Sequence, residues 1–314
     1  MQFFLRYAKV APGDEGMKNK LKGSILLTLA TVIWGSAFVA QSVGMDHVGP
    51  FTFQAVRCAI AVLGLLPVIF ISDCRTGGAS AFLSRWRDKR LWLAGLACSA
   101  PLFLAVNLQQ LGIVSTDAGK SAFLTAMYII IVPLLGLFLK RKISKMIPIS
   151  VVLAVVGLYL LTCAGVSRIT SGDLLLIGCA FMFAVQIICV DHFADKVDPL
   201  RLNCLQSLFC SIGSAVVMFL FETPVVQDIA ACWLPLCYAG FLSMGIAYSF
   251  QIIGQKNVEP NAASLIMSLE SVFAVLFGWL LLHETMNPNE AMGCILMFTA
   301  VILSQLELPA KKSE

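Results

Sequence analysis

Charge is scarce in this sequence: 13% of its 314 residues are Asp, Glu, Lys or Arg and 59% are hydrophobic, against about 25% charged and 45–50% apolar in a soluble domain. A soluble globule is excluded. Histidine is scarcer still, with only His47, His192 and His283, all in loops or at the ends of apolar runs. His283-Glu284 is followed by Thr285, Met286 and Asn287, so H-E-x-x-H is missing, as are G-x-x-x-x-G-K-[ST] and G-x-G-x-x-G. No nucleophile with a buried base can be named, and nothing marks an enzyme, a cofactor, a metal or a nucleic-acid partner. Cysteine is plentiful at 11 but never spaced C-x-x-C, and most of it lies inside apolar runs, where it reads as a small hydrophobe.

What is present is a succession of apolar runs. They predict ten helices, at about 23–42, 50–72, 91–112, 117–139, 146–164, 173–191, 201–221, 232–254, 259–282 and 289–306. The loops left over are too short for a separate domain, so any function is built inside the bundle. Helices are expected rather than a barrel, because the runs are continuously apolar instead of alternating. The first run is too long for a signal peptide and has no A-x-A site. The stretch before Met17, with Pro12 and Gly13, reads as disordered, and Met17 is an alternative start.

Of the 22 Lys and Arg, nineteen fall in the tails and in alternate loops on one side, Arg168 alone falls on the other, and Arg57 and Lys120 lie within runs. By the positive-inside rule both termini are expected in the cytoplasm, in the cell membrane, and the number of spans is expected to be even.

The fourth and ninth runs superpose: Gly112 falls on Gly254, Asp117 on Glu259 and Gly136 on Gly278, while Pro50 and Pro199 open the second and seventh. Five helices per copy is odd, so the copies insert in opposite senses. The expected fold is an all-α integral membrane protein of ten transmembrane helices in two inverted five-helix repeats, a layout that puts a site at the midplane between halves.

Polar groups inside the runs are the candidates for that site. Glu270 lies 11 residues into its run, near the bilayer midplane, where a carboxylate is costly. It would bind an amine, carry a proton, or pair structurally. Arg57 would meet a substrate carboxylate, Glu270, or backbone carbonyls of a neighbouring helix. Tyr128 aligns with Glu270 and is expected to face it. Trp34 and Tyr248 line a cavity or pack; Asn107, Gln186 and Gln251 line it or join helices. Lys120 reads as a partner of Asp117 and Glu284 as a helix-end contact. Pro67, Pro101, Pro133 and Pro235 permit kinks.

Trp34-Gly35-Ser36-Ala37-Phe38 resembles the W-G-S-x-F signature of the drug/metabolite transporter superfamily, in its ten-helix EamA-like branch. Arg57 stands where that family often has Arg. Tyr238-Ala239-Gly240, Tyr248, Ala262-Ala263-Ser264, Leu269 to Ala274, Gly278-Trp279, His283-Glu284 and Gly293 follow the pattern of its second repeat. The chain departs from it at Ser271, where Pro is usual, at His283, where Gly is usual, and at Lys140-Arg141-Lys142, which replaces Gly-Glu. The resemblance implies a tail at 1–21, EamA-like repeats at 22–165 and 166–306, and a tail at 307–314. It further implies a secondary active transporter, an exporter, moving a small polar or amphipathic metabolite such as an amino acid by alternating access, with protons among its partners. A passive channel or facilitator is the alternative. Neither substrate nor oligomeric state is legible.

Overall fold

The computed structural model describes residues 14–116, 118–141, 144–162, 170–282 and 288–305. Among these residues there is no strand. In chain order the helices are α1 (Asp14–Met45), α2 (Pro50–Arg85), α3 (Lys89–Ser115), α4 (Ala118–Ala126), α5 (Tyr128–Phe138), α6 (Met146–Thr162), α7 (Ser171–Phe193) and α8 (Pro199–Phe221). Then come α9 (Val226–Ala231), α10 (Trp233–Cys237), a π-helix (Tyr238–Ala247), α11 (Tyr248–Gln255), α12 (Pro260–Met267), α13 (Glu270–Leu282) and α14 (Pro288–Gln305). All ten predicted spans are present. The fourth is α4 with α5, the eighth α10 through α11, and the ninth α12 with α13. Eight are long and apolar enough to cross a bilayer, and α6 and α14 are shorter apolar helices.

Three features differ from the sequence expectation. Asp14 and Glu15 are helical, as part of α1. The helix α2 continues through 73–85, where a loop is expected, and its 36 residues span about 54 Å, well beyond a hydrocarbon core of about 30 Å. Hydropathy marks where lipid ends, not where a helix must. Third, the fourth and ninth spans are broken, at Met127 and at Ser268–Leu269. Both breaks tighten to i→i+3 bonds in register: Met127 N donates to Leu124 O at 3.2 Å and Leu269 N to Ile266 O at 3.1 Å. Pro133 follows one break but no proline follows the other, so proline is not the shared cause.

Side chains are distributed as lipid requires. Leu63, Phe138, Phe219 and Leu220 point outward, whereas Gln54, Gln110, Gln186, Asn203 and Gln206 are fully buried. This inverts the rule of soluble cores: the chain is a multi-pass membrane protein.

The two copies are visible in the packing. Helix α3 packs along α7, and its counterpart, the π-helix with α11, packs along α1, while α2 pairs with α8 and α6 with α14. Glycines make the first two contacts close. A Cβ on Gly112 would stand 3.2 Å from Gly172 O, and one on Gly254 would stand 2.9 Å from Gly23 O. Gly23 relates to Gly172 as Pro50 does to Pro199, so these are the same contact in each copy.

The seam between copies at α2–α8 is tied at both ends. On the side away from the N-terminus, the Glu222 carboxylate caps α2, accepting from Phe51 N at 2.9 Å and Thr52 N at 2.8 Å. On the N-terminal side, buried Asp73 pairs with buried Arg201 of α8 and with Arg85. Arg141, in the basic stretch that replaces Gly-Glu, pairs with Asp191 of α7 at 2.8 Å. The expected contacts of Asp117, Lys120 and Glu284 lie outside the described residues and side chains.

Candidate substrate site

Between the halves lies a cavity enclosing about 500 Å³ of empty space, its mouth included. Seven of the eight predicted residues line it: Trp34, Arg57, Tyr128, Gln186, Tyr248, Gln251 and Glu270. The eighth, Asn107, does not. Its amide donates to Ser214 Oγ at 2.9 Å and to Phe103 O at 2.8 Å, joining α3 to α8.

The helix breaks set the centre of the site. Tyr128 and Glu270 are each the first residue of the half-helix after a break, and Tyr128 Oη donates to Glu270 Oε1 at 3.1 Å. The facing expected from their alignment is present. Glu270 is 7% exposed, and among the described residues the Tyr128 phenol is its one hydrogen-bond partner. Among the described residues no cation pairs with this carboxyl group, so a charge on it would be uncompensated.

Of the partners expected for Arg57, the two within the protein are not the ones that hold it. Neither Glu270 nor a backbone carbonyl receives it: Nε donates to Gln54 Oε1 at 2.6 Å and Nη1 to Gln41 Oε1 at 2.8 Å, with the Phe53 ring 5.8 Å from the guanidinium. Gln54 is anchored in turn, donating to Val106 O at 2.7 Å. Two neutral amides orient the guanidinium fork without neutralising it. One cavity thus carries a buried guanidinium and a buried carboxyl group that form no ion pair with each other, an arrangement suited to a solute bearing complementary groups.

The remaining wall is aromatic and amide. Trp34 and Tyr248 meet edge-on with centroids 5.0 Å apart, and Tyr128 meets Phe183 at 6.4 Å. Gln251 Nε2 donates to Gln186 Oε1 at 3.0 Å. Gln186 Nε2, Gln251 Oε1 and Trp34 Nε1 have no partner among the described residues, which leaves polar atoms for a solute or water. Sequence reasoning passed over Phe38, Gln41, Phe183, Ser243 and Met267 in this wall. Of these, Gln41 is an amide in an apolar run and Phe38 closes the Trp34–Phe38 signature; the others offered no comparable signal.

Ten apolar spans in two opposed copies around a polar cavity define a membrane transporter, not an enzyme. The chain belongs to the EamA-like transporter family, which matches it twice, over residues 21–163 and 170–306. It is 30% identical over 303 residues to an uncharacterized transporter of Archaeoglobus fulgidus, covering 96% of this chain and 91% of that one. It is 24% identical to a chloroplastic WAT1-related protein of Arabidopsis thaliana over 95% of this chain and 72% of the relative. A solved crystal structure shares the fold at a TM-score of 0.75 and 18% identity, covering 90% of this chain and 96% of that one.

Proposed function

We propose that the protein is a secondary active exporter of a small polar or amphipathic metabolite, an amino acid or a solute of similar charge. It would work by alternating access across the cell membrane, with both termini cytoplasmic. The repeats would span 22–165 and 166–306, between tails at 1–21 and 307–314. The observation that carries this reading is the pairing of symmetry-related helix breaks with a buried carboxyl group, Glu270, whose hydrogen-bond partner is a phenol and not a cation. Broken helices at the midplane of an inverted repeat expose backbone and charge to a solute while the surrounding helices stay continuous. Arg57 would take an anionic group, Glu270 an amine or a coupling proton, and the aromatic wall the apolar remainder. Gln186 and Gln251 would supply hydrogen bonds.

The test is purified protein in liposomes loaded with labelled metabolites, amino acids first. Saturable uptake, accelerated by unlabelled solute on the opposite side and driven by an imposed pH difference, supports the reading. Flux that neither saturates nor shows counterflow makes the protein a channel.

A further inference from the structure

The eighth span is wound as a π-helix for ten residues, Tyr238–Ala247, before returning to α-geometry at Tyr248. The change is marked by Tyr248 N, which bonds Ser243 O five residues back. When a ladder passes from i−5 to i−4 bonding it skips a carbonyl, and a skipped carbonyl buried in a bundle needs another donor. Asn203 of α8 supplies it. Its Nδ2 lies 2.9 Å from Met244 O and 2.8 Å from Gly245 O. It is also 2.9 Å from Ser249 Oγ, whose own hydrogen goes to Gly245 O. Gln206 Nε2 donates to Asn203 Oδ1 at 2.9 Å and holds that amide in orientation.

The segment held in this way touches both sides of the cavity. Gly240 lies against the Arg57 turn of α2, so close that a Cβ there would stand 2.9 Å from Arg57 O. Tyr238 hydrogen-bonds Ser36 of α1. Ser243 and Tyr248 line the cavity, Tyr248 against Trp34. Rewinding the segment as α-helix shifts the hydrogen-bond register by one residue, about 1.5 Å of rise and ~100° of rotation.

We propose that Asn203 is a positioning residue for the cavity: by donating to the carbonyls where the π-helix ends, it fixes the register of the eighth span and so the placement of Ser243 and Tyr248. Its functional meaning rests on this cavity being the solute route. The helix register itself can be read without any transport measurement, so either can fail without the other.

The test uses full-length protein in detergent micelles labelled with 3-fluorotyrosine. Its five tyrosines give ¹⁹F resonances assigned by single Tyr→Phe variants. Asn203→Leu keeps the side-chain shape and removes the donors. The expected result is that the Tyr238 and Tyr248 resonances, at the two ends of the segment, both move, while those of Tyr128 and Tyr159 stay. An unchanged spectrum overturns the proposal, and so does a shift confined to Tyr248, which reports only local packing. If Asn203→Leu fails to fold, the same criteria apply to Gln206→Leu, which leaves Asn203 in place and frees its amide to turn.

Discussion

Tyr128 Oη and Glu270 Oε1 lie 3.1 Å apart although their residues are separated by 142 positions, the same offset that superposes Gly112 on Gly254 and Gly136 on Gly278. Each residue occupies the equivalent position in its own copy, so the bond crosses the axis that relates the halves. At this pair the symmetry is broken in chemistry, since one copy offers a phenol and the other a carboxyl group.

Glu270→Gln keeps the acceptor for Tyr128 and removes the titratable proton. If Glu270 carries a coupling proton, the variant loses accumulation driven by a pH difference and keeps solute exchange. Parallel counterflow and gradient-driven uptake in liposomes separate these outcomes. A variant that still concentrates solute in response to pH removes Glu270 from coupling.

Arg57→Lys replaces a fork held by Gln54 and Gln41 with a point charge that matches neither the two amides nor a carboxylate bidentately. Losing one charge-assisted hydrogen bond costs about 1.5–3 kcal/mol, so apparent solute affinity is expected to fall roughly ten- to a hundredfold with insertion unchanged. Transport indistinguishable from that of the parent protein contradicts the bidentate role.

Gly112→Ala and Gly254→Ala test the repeated contact. In the first, the new methyl meets Leu176 Cγ at 2.5 Å; in the second it meets Leu27 Cγ at 2.8 Å and Gly23 O at 2.9 Å. Overpacking of this kind costs about 1–3 kcal/mol. Both variants are expected to melt at lower temperature in detergent, by comparable amounts. Retention of the parent melting temperature by either one removes the close approach in that copy.

Single cysteines at Arg87 and Gln227, in a background without native thiols, are expected to label from the cytoplasmic and external sides respectively. The expectation follows from the bias of Lys and Arg toward the N-terminal side. Labelling of both from one side rejects the topology.

The spans were legible because lipid imposes unbroken apolarity, and the repeat was legible in part because glycine at a close helix crossing, as at Gly112 and Gly254, is costly to exchange. Glu270 and Arg57 stood out because charge inside an apolar run is costly. Phe183 and Met267 did not, because a helix in lipid carries no polar face to reveal its rotation, and apolar residues look alike whether they meet lipid or cavity. The partners of Arg57 were missed for a related reason: Gln41 and Gln54 become recognisable only once α1 and α2 are side by side. The breaks at Met127 and Ser268 and the winding of Tyr238–Ala247 are matters of hydrogen-bond register, which residue identity scarcely encodes.

The ties at the two ends of α2 and α8 carry a consequence for the path of the solute. These helices belong to opposite copies, and Glu222 at one face and Asp73 with Arg201 at the other fasten them together. A doorway at that seam would require separating a buried ion pair on one side or stripping a helix end of its carboxylate on the other. On the proposed alternating-access cycle, entry and exit would lie at other boundaries between the copies, and the α2–α8 seam would be the line about which they turn.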